Sequence, residues 1–168
     1  NRDFSVLSKK PEELKLIAVG RLVPKKGYFH MLQIVFELSK RKIPFSLQII
    51  GGGKLRKRIS TEIKRFGLEE NVTLQGAFKE NQVRELLLTQ DVMLFTGIID
   101  SQGDRDGIPN VIPEAMDAGC LVLSSVYAGA SEAFIDGVSG FSLHPRSPGE
   151  WVKKLEEFYQ DPDSFTDV

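Results

Sequence analysis

The sequence predicts an α/β domain of the doubly wound kind, a parallel six-stranded sheet with helices on both faces. Three observations carry this expectation. Apolar runs of strand length alternate with longer amphipathic stretches along nearly the whole chain. Glycine closes most of those runs, so the strands end in tight loops. The 168 residues, 41% hydrophobic and 27% charged, suit a single globular domain with a core of ordinary size.

Each element follows from local pattern. A polar lead-in with Ser8-Lys9-Lys10-Pro11 precedes Leu14–Val19, a buried strand ending at Gly20. Gly27 closes a basic loop, and Tyr28–Lys40 then places Met31, Leu32, Ile34, Val35, Phe36 and Leu38 on one broad helical face. Phe45–Ile50 is a second strand, stopped by Gly51-Gly52-Gly53. Lys54–Arg65 is a basic helix with Leu55, Ile59 and Ile63 four apart, and Gly67 suits its C-terminal cap. Val72–Gln75 is a short strand, Asn81–Thr89 a helix, and Val92–Phe95 a strand buried on both faces. Asn110–Ala118 is a helix capped by Gly119, Leu121–Val126 and Gly140–Leu143 are strands, and Glu150–Tyr159 is the last helix. Strands alternating with helices over short loops make the sheet parallel, its crossovers right-handed and the domain Rossmann-like.

Composition narrows the function. Twenty-two Lys and Arg against 23 Asp and Glu leave a net charge of −1, which gives no global reason to expect a nucleic-acid partner. The single Cys120 excludes an internal disulfide and a Cys-based zinc site, and fits a reducing compartment. The longest apolar run, Val92–Ile99, is interrupted by Thr96 and Gly97 and falls far short of the roughly 18 residues a membrane span needs. The chain starts Asn1-Arg2-Asp3-Phe4 without Met, as a piece of a longer protein would.

In a doubly wound sheet, ligands bind at the carboxyl ends of the strands. The loops there are Gly20–Gly27, Gly51–Lys54, Gly76–Glu80, Gly97–Asn110 and Tyr127–Glu132. The first sets Arg21, Lys25 and Lys26 just before a helix start, where charge and backbone N–H groups together suit a phosphate; a solvated basic loop is the plainer alternative. Gly51-Gly52-Gly53-Lys54 is a poor dinucleotide fingerprint, because its third glycine would fall at Arg56 and it follows the second strand. Asp104 and Asp106 form a D-x-D pair, a pattern that serves divalent metals and also arises by chance in acidic loops. Between Pro109 and Pro113 a helix has to begin, since proline is tolerated only in its first turn. Glu114 then lies near that helix start. His30, His144, Cys120 and the serines form no recognisable metal or nucleophile set.

Together these loops resemble the C-terminal, donor-binding half of a GT-B glycosyltransferase of the large retaining family often called GT4. The resemblance runs from about Leu14 to Tyr159. It rests on Gly20-Arg21-Leu22 with Lys26-Gly27, on Ile50-Gly51-Gly52-Gly53, on Val72-Thr73-Leu74-Gln75-Gly76, and on an E-x7-E-like span from Asp106 to Glu114 followed by Gly129-x-Ser131-Glu132.

The resemblance implies a sugar transferred with retention from a nucleotide-diphosphate sugar, with neither cofactor nor metal. It gives Arg21 and Lys26 to the diphosphate and Glu114 to the donor ribose. Asp106 takes the donor-sugar hydroxyls, although the family usually has the longer Glu there, and Asp104 is a second candidate for that contact. Gly20, Gly53, Phe78, Gly107, Ile108, Pro109, Asn110 and Val111 complete the donor site. Residues 1–13 become the end of an interdomain linker and 14–168 the donor domain, with an N-terminal acceptor-binding domain as partner and a glycan or glycolipid as acceptor. The expected setting is the cytoplasm, its membrane face included, because Lys54, Arg56, Lys57, Arg58, Lys64 and Arg65 could lean on anionic lipid; a solvated helix face explains them as well. A stand-alone nucleotide-sugar-binding module, a sugar-nucleotide epimerase and a Rossmann oxidoreductase are the competing readings.

Overall fold

The computed structural model describes residues 10–127 and 129–165. The proposed linker, residues 1–13, lies outside the described residues as far as residue 9. Six parallel strands form one sheet: β1 (Leu14–Val19), β2 (Phe45–Ile50), β3 (Val72–Leu74), β4 (Val92–Phe95), β5 (Leu121–Ser125) and β6 (Phe141–Leu143). Their order is β3-β2-β1-β4-β5-β6. Among the described residues, five α-helices connect or flank them: α1 (Tyr28–Ser39), α2 (Arg56–Arg65), α3 (Glu80–Leu87), α4 (Val111–Asp117) and α5 (Pro148–Gln160).

The period of two along each strand divides the interior into two cores. On β1, Leu14, Leu16 and Ala18 face the core under α1, α2 and α5, whereas Ile17 faces the one under α3 and α4. On β4, Val92 and Leu94 take the first side, and Met93 and Phe95 the second. Apart from the exposed Lys15 near the start of β1, the two central strands are apolar on both faces, as a sheet covered on both sides requires. Trp151 of α5 is fully buried against this sheet and donates its indole N–H to the His144 carbonyl at 3.0 Å.

The ends of several elements differ from the sequence pattern for identifiable reasons. Helix α5 starts at Pro148, two residues before the expected Glu150, because proline needs no N–H partner in a first turn. Helix α3 starts at Glu80, one residue early, where the Gln82 side chain accepts the Lys79 N–H at 2.9 Å. It also stops at Leu87, short of the expected Thr89. Helix α2 begins at Arg56 and not Lys54, since the Leu55 N–H is taken by the Leu22 carbonyl at 3.1 Å. Strands β3, β5 and β6 and helices α1 and α4 are one or two residues shorter than expected. None of these shifts moves a loop away from the carboxyl edge.

The strand order reverses between β1 and β4. From β1 the chain runs outward through β2 to β3, and from β4 it runs the other way through β5 to β6. The loops leaving β1 and β4 thus part to opposite faces and open a crevice between them. The Lys26 and Asp106 regions face each other across that crevice.

Candidate functional site

The β1–α1 loop is short because its end is fixed. Gly27 has a φ of 67°, and a Cβ there would overlap the Thr96 carbonyl oxygen. Only glycine lets the start of α1 approach the end of β4 so closely. From the other side, the buried Thr96 hydroxyl faces the Gly27 carbonyl at 3.0 Å and the Lys26 carbonyl at 3.3 Å. The Ile98 N–H donates to the Lys25 carbonyl at 2.8 Å. Both lysines therefore sit on backbone that is tied to the β4–α4 loop.

Their side chains meet the acids of that loop. Lys26 Nζ lies 2.9 Å from Asp106 Oδ2, and Lys25 Nζ lies 3.6 Å from Asp106 Oδ1 and 3.0 Å from Asp104 Oδ2. Asp104 is held in turn by the loop itself: its N–H donates to Asp100 Oδ1, and its carbonyl accepts the Asp100 N–H. The hydrogen bond from Lys25 to Asp104 raises the Lys25 pKa, against a smaller lowering by desolvation. The Lys26 ammonium also lies 4.9 Å from the Phe95 ring centroid. The D-x-D acids thus face ammonium groups.

Asp106 Oδ2 is buried and accepts no directed hydrogen bond; its contact with Lys26 is an ion pair only. A carboxylate has room for about four donors, so this oxygen has unused acceptor capacity inside the crevice. Close by, Tyr28 donates its hydroxyl to the Gly20 carbonyl at 2.9 Å. Burial, and then the Asp106 carboxylate, push the Tyr28 phenol well above its ordinary range.

Glu114 sits in the first turn of α4, as the two prolines require. Its carboxylate is 3.7 Å from the Arg84 guanidinium of α3, and the same arginine reaches Glu80 at 2.8 Å. Arg84, Leu88, Glu114, Asp117 and Ala118 line an open groove of about 280 Å³ between these helices. The segment before α4 is braced from behind: a Cβ on Gly129 would come within 2.9 Å of the Gly107 carbonyl carbon, and the Gly129 N–H donates to the Asp106 carbonyl at 3.2 Å. The side chain of Ser131, part of that later motif, lies outside the described residues.

Lys26 and Asp106 are thus in contact. Arg21 is exposed and makes no ion pair among the described residues. Gly20 directly follows β1 and Gly53 lies in the loop after β2 at the same edge, with the Leu22 backbone packed against Gly53. Phe78 is half-buried against the second core. Gly107 and Asn110 are exposed, as is Ile108, while Pro109 and Val111 are half-buried. The partners that sequence reasoning missed are Arg84, Thr96 and the role of Lys25 as the second cation on Asp106. No local pattern marks them, because each acts across a sequence gap of at least 30 residues that only the fold closes.

Over residues 1–167 the chain matches the family of glycosyl transferases group 1. It belongs to that family. Among group 1 relatives, WcaL of Salmonella typhimurium, a protein named for colanic acid biosynthesis, is 31% identical over 86% of this chain and 36% of its own length. The amylovoran biosynthesis glycosyltransferase AmsK of Erwinia amylovora is 32% identical over 77% of this chain and 32% of its own. The chain therefore spans about a third of the length of these glycosyl transferases. The fold is also that of Anabaena Alr3699/HepE, solved in complex with UDP-glucose, with a TM-score of 0.79 at 22% identity over 92% of this chain and 41% of that one. The C-terminal domain of LpcC, a group 1 protein from Francisella tularensis, gives a TM-score of 0.75 at 16% identity, with 92% of this chain and 80% of that one covered. In this group 1 chain, no described helix is long and apolar enough to cross a membrane.

Proposed function

We propose that this chain is the donor-binding part of a retaining glycosyltransferase. The enzyme would move a sugar from a nucleotide-diphosphate sugar to a glycan or glycolipid acceptor. One observation carries the reading: the buried Asp106 Oδ2, with no directed hydrogen bond, stands beside the Lys26 ammonium at the crevice where the strand order reverses. An oxygen of that kind calls for a hydroxyl donor and an ammonium there calls for a phosphate, so a sugar diphosphate answers both. Relatives named for polysaccharide biosynthesis and a fold neighbour that holds UDP-glucose support the same choice.

The residues then divide the work. Asp106 accepts from donor-sugar hydroxyls, with Asp104 beside it. Lys26 and the exposed Arg21 carry the diphosphate, whose charge grows as the bond to the anomeric carbon breaks and the electron pair leaves with the phosphate oxygen. An acceptor hydroxyl oxygen forms the new bond to the anomeric carbon, and its proton passes to the departing phosphate oxygen. Glu114 accepts from the ribose hydroxyls. Gly20, Gly53 and the segment Gly107–Val111 leave backbone open to the ligand, and Phe78 lies on the nucleoside side. The reading uses no metal, because two side-chain cations meet the diphosphate.

The acceptor half and its linker belong to the same proposal, with residues 1–13 as the end of the linker. So does a cytoplasmic setting that includes the membrane face. The test is calorimetry of the chain in chelator with UDP, GDP and ADP, and with the matching nucleosides. The diphosphate of one base should bind at least about 100-fold more tightly than its nucleoside, since each charge-assisted contact contributes roughly 1.5–3 kcal/mol. Equal affinity for nucleoside and diphosphate would refute the assignment of the crevice.

A further inference from the structure

We propose that Lys25 is a positioning residue, which holds the Asp106 carboxylate in place when Lys26 turns to the donor diphosphate. This rests on the donor-site reading above and extends it to a residue with no assigned part.

The geometry gives each oxygen of Asp106 its own lysine: Oδ2 has Lys26 at 2.9 Å and Oδ1 has Lys25 at 3.6 Å. All three side chains are largely covered, with 13% of Asp106, 12% of Lys26 and 17% of Lys25 exposed. A carboxylate covered to that degree is destabilising unless a cation stays with it. An incoming diphosphate competes for Lys26. If Lys26 were the sole counter-ion, each donor bound would leave Asp106 uncompensated beside a second anion, a repulsion that the partly dry crevice would screen poorly. The acid that orients the sugar and the cation that binds its diphosphate would then work against each other.

Lys25 removes that conflict because it is fixed at two points. Its carbonyl accepts the Ile98 N–H, and its ammonium is anchored on Asp104, which the Asp100 turn holds. It therefore stays on Asp106 while the neighbouring lysine leaves. Among the described residues, the Tyr28 phenol also faces Asp106 and is committed to the Gly20 carbonyl. Lys26 is thus the ligand-facing member of the pair and Lys25 the resident one.

A double-mutant cycle tests this, with calorimetric titration of UDP, GDP and ADP and then of the glucose conjugate of whichever binds. Lys25→Met should weaken diphosphate binding by about tenfold, and Lys25→Arg should recover it to within about twofold. In an Asp106→Asn background, Lys25→Met should change affinity by less than about twofold, because no buried charge remains to be held. Asp104→Asn, a milder change at a side chain 57% exposed, should lower affinity by a smaller factor and lose its effect in the same background. An undiminished loss in the Asp106→Asn background would overturn the inference, since Lys25 would then touch the diphosphate itself. Binding by Lys25→Met equal to wild type would also overturn it, while leaving the donor site intact. A wild-type chain that binds none of the three diphosphates would defeat the donor-site reading and this inference with it.

Discussion

Lys26 from the β1 side and Asp106 from the β4 side meet at 2.9 Å, although 80 positions separate them in the chain. The contact bridges the point where the strand order reverses, so the topology itself assembles the charged centre of the site.

Removing the acid of that pair should separate sugar recognition from phosphate recognition. Asp106→Asn frees Lys26 from a competing carboxylate, so affinity for the bare nucleoside diphosphate should hold or rise. The sugar conjugate should lose the tenfold or so that a charged acceptor adds over a neutral one. The check is the ratio of the two dissociation constants, which should shift towards the bare diphosphate.

Glu114→Gln should act on the other end of the donor. The amide keeps the size of the side chain but weakens its hydrogen bonds, so donor and bare diphosphate should both bind about tenfold less tightly. Thermal melting should fall only modestly, since a half-buried first-turn carboxylate contributes up to about 2 kcal/mol. Wild-type affinity for the bare diphosphate in this variant would remove Glu114 from the ribose.

Gly27→Ala should damage the fold and the site together. The added methyl overlaps the Thr96 carbonyl, and the positive φ alone costs roughly 1–3 kcal/mol. A urea titration should show a loss of at least about 2 kcal/mol, with diphosphate affinity falling in the fraction that stays folded.

Acid should destabilise the chain in part through His30. Burial, followed by the positive charge of Arg146, lowers its pKa below the ordinary 6.5. The unfolded chain thus takes up the proton first, and the His30 contribution is present above pH 6.5 and lost as pH falls through the folded-state value. In His30→Gln the decline in melting temperature from pH 7 to pH 5.5 should be shallower than in wild type. Parallel declines would clear His30 of this role.

The sequence was informative wherever the signal was local. β1 and β2 occur with the expected bounds because each is a six-residue, mostly apolar stretch between loop-forming residues. Pro109 and Pro113 correctly bracket the start of α4, since proline acts on its own turn. The Asp106–Glu114 span also lies where the pattern put it, on the loop and first turn after β4. Strand order was less accessible, because the pairing of β1 with β4 depends on which faces are covered and not on either strand alone. The same limit hid Arg84 beside Glu114. Lys25 was visible as a charge, but its two acids are reached only once the loops after β1 and β4 are folded onto each other.

The Thr96 hydroxyl under the Lys26 and Gly27 carbonyls has a kinetic meaning. A loop tied from beneath loses its conformational freedom when the chain folds, so little ordering remains for the moment of encounter. Association with a diphosphate should then be limited by diffusion and charge steering, falling with added salt and showing no slow rearrangement phase. Loosening the loop with Thr96→Val, which removes the hydroxyl but keeps the branched shape, would transfer that ordering step to binding and slow the on-rate.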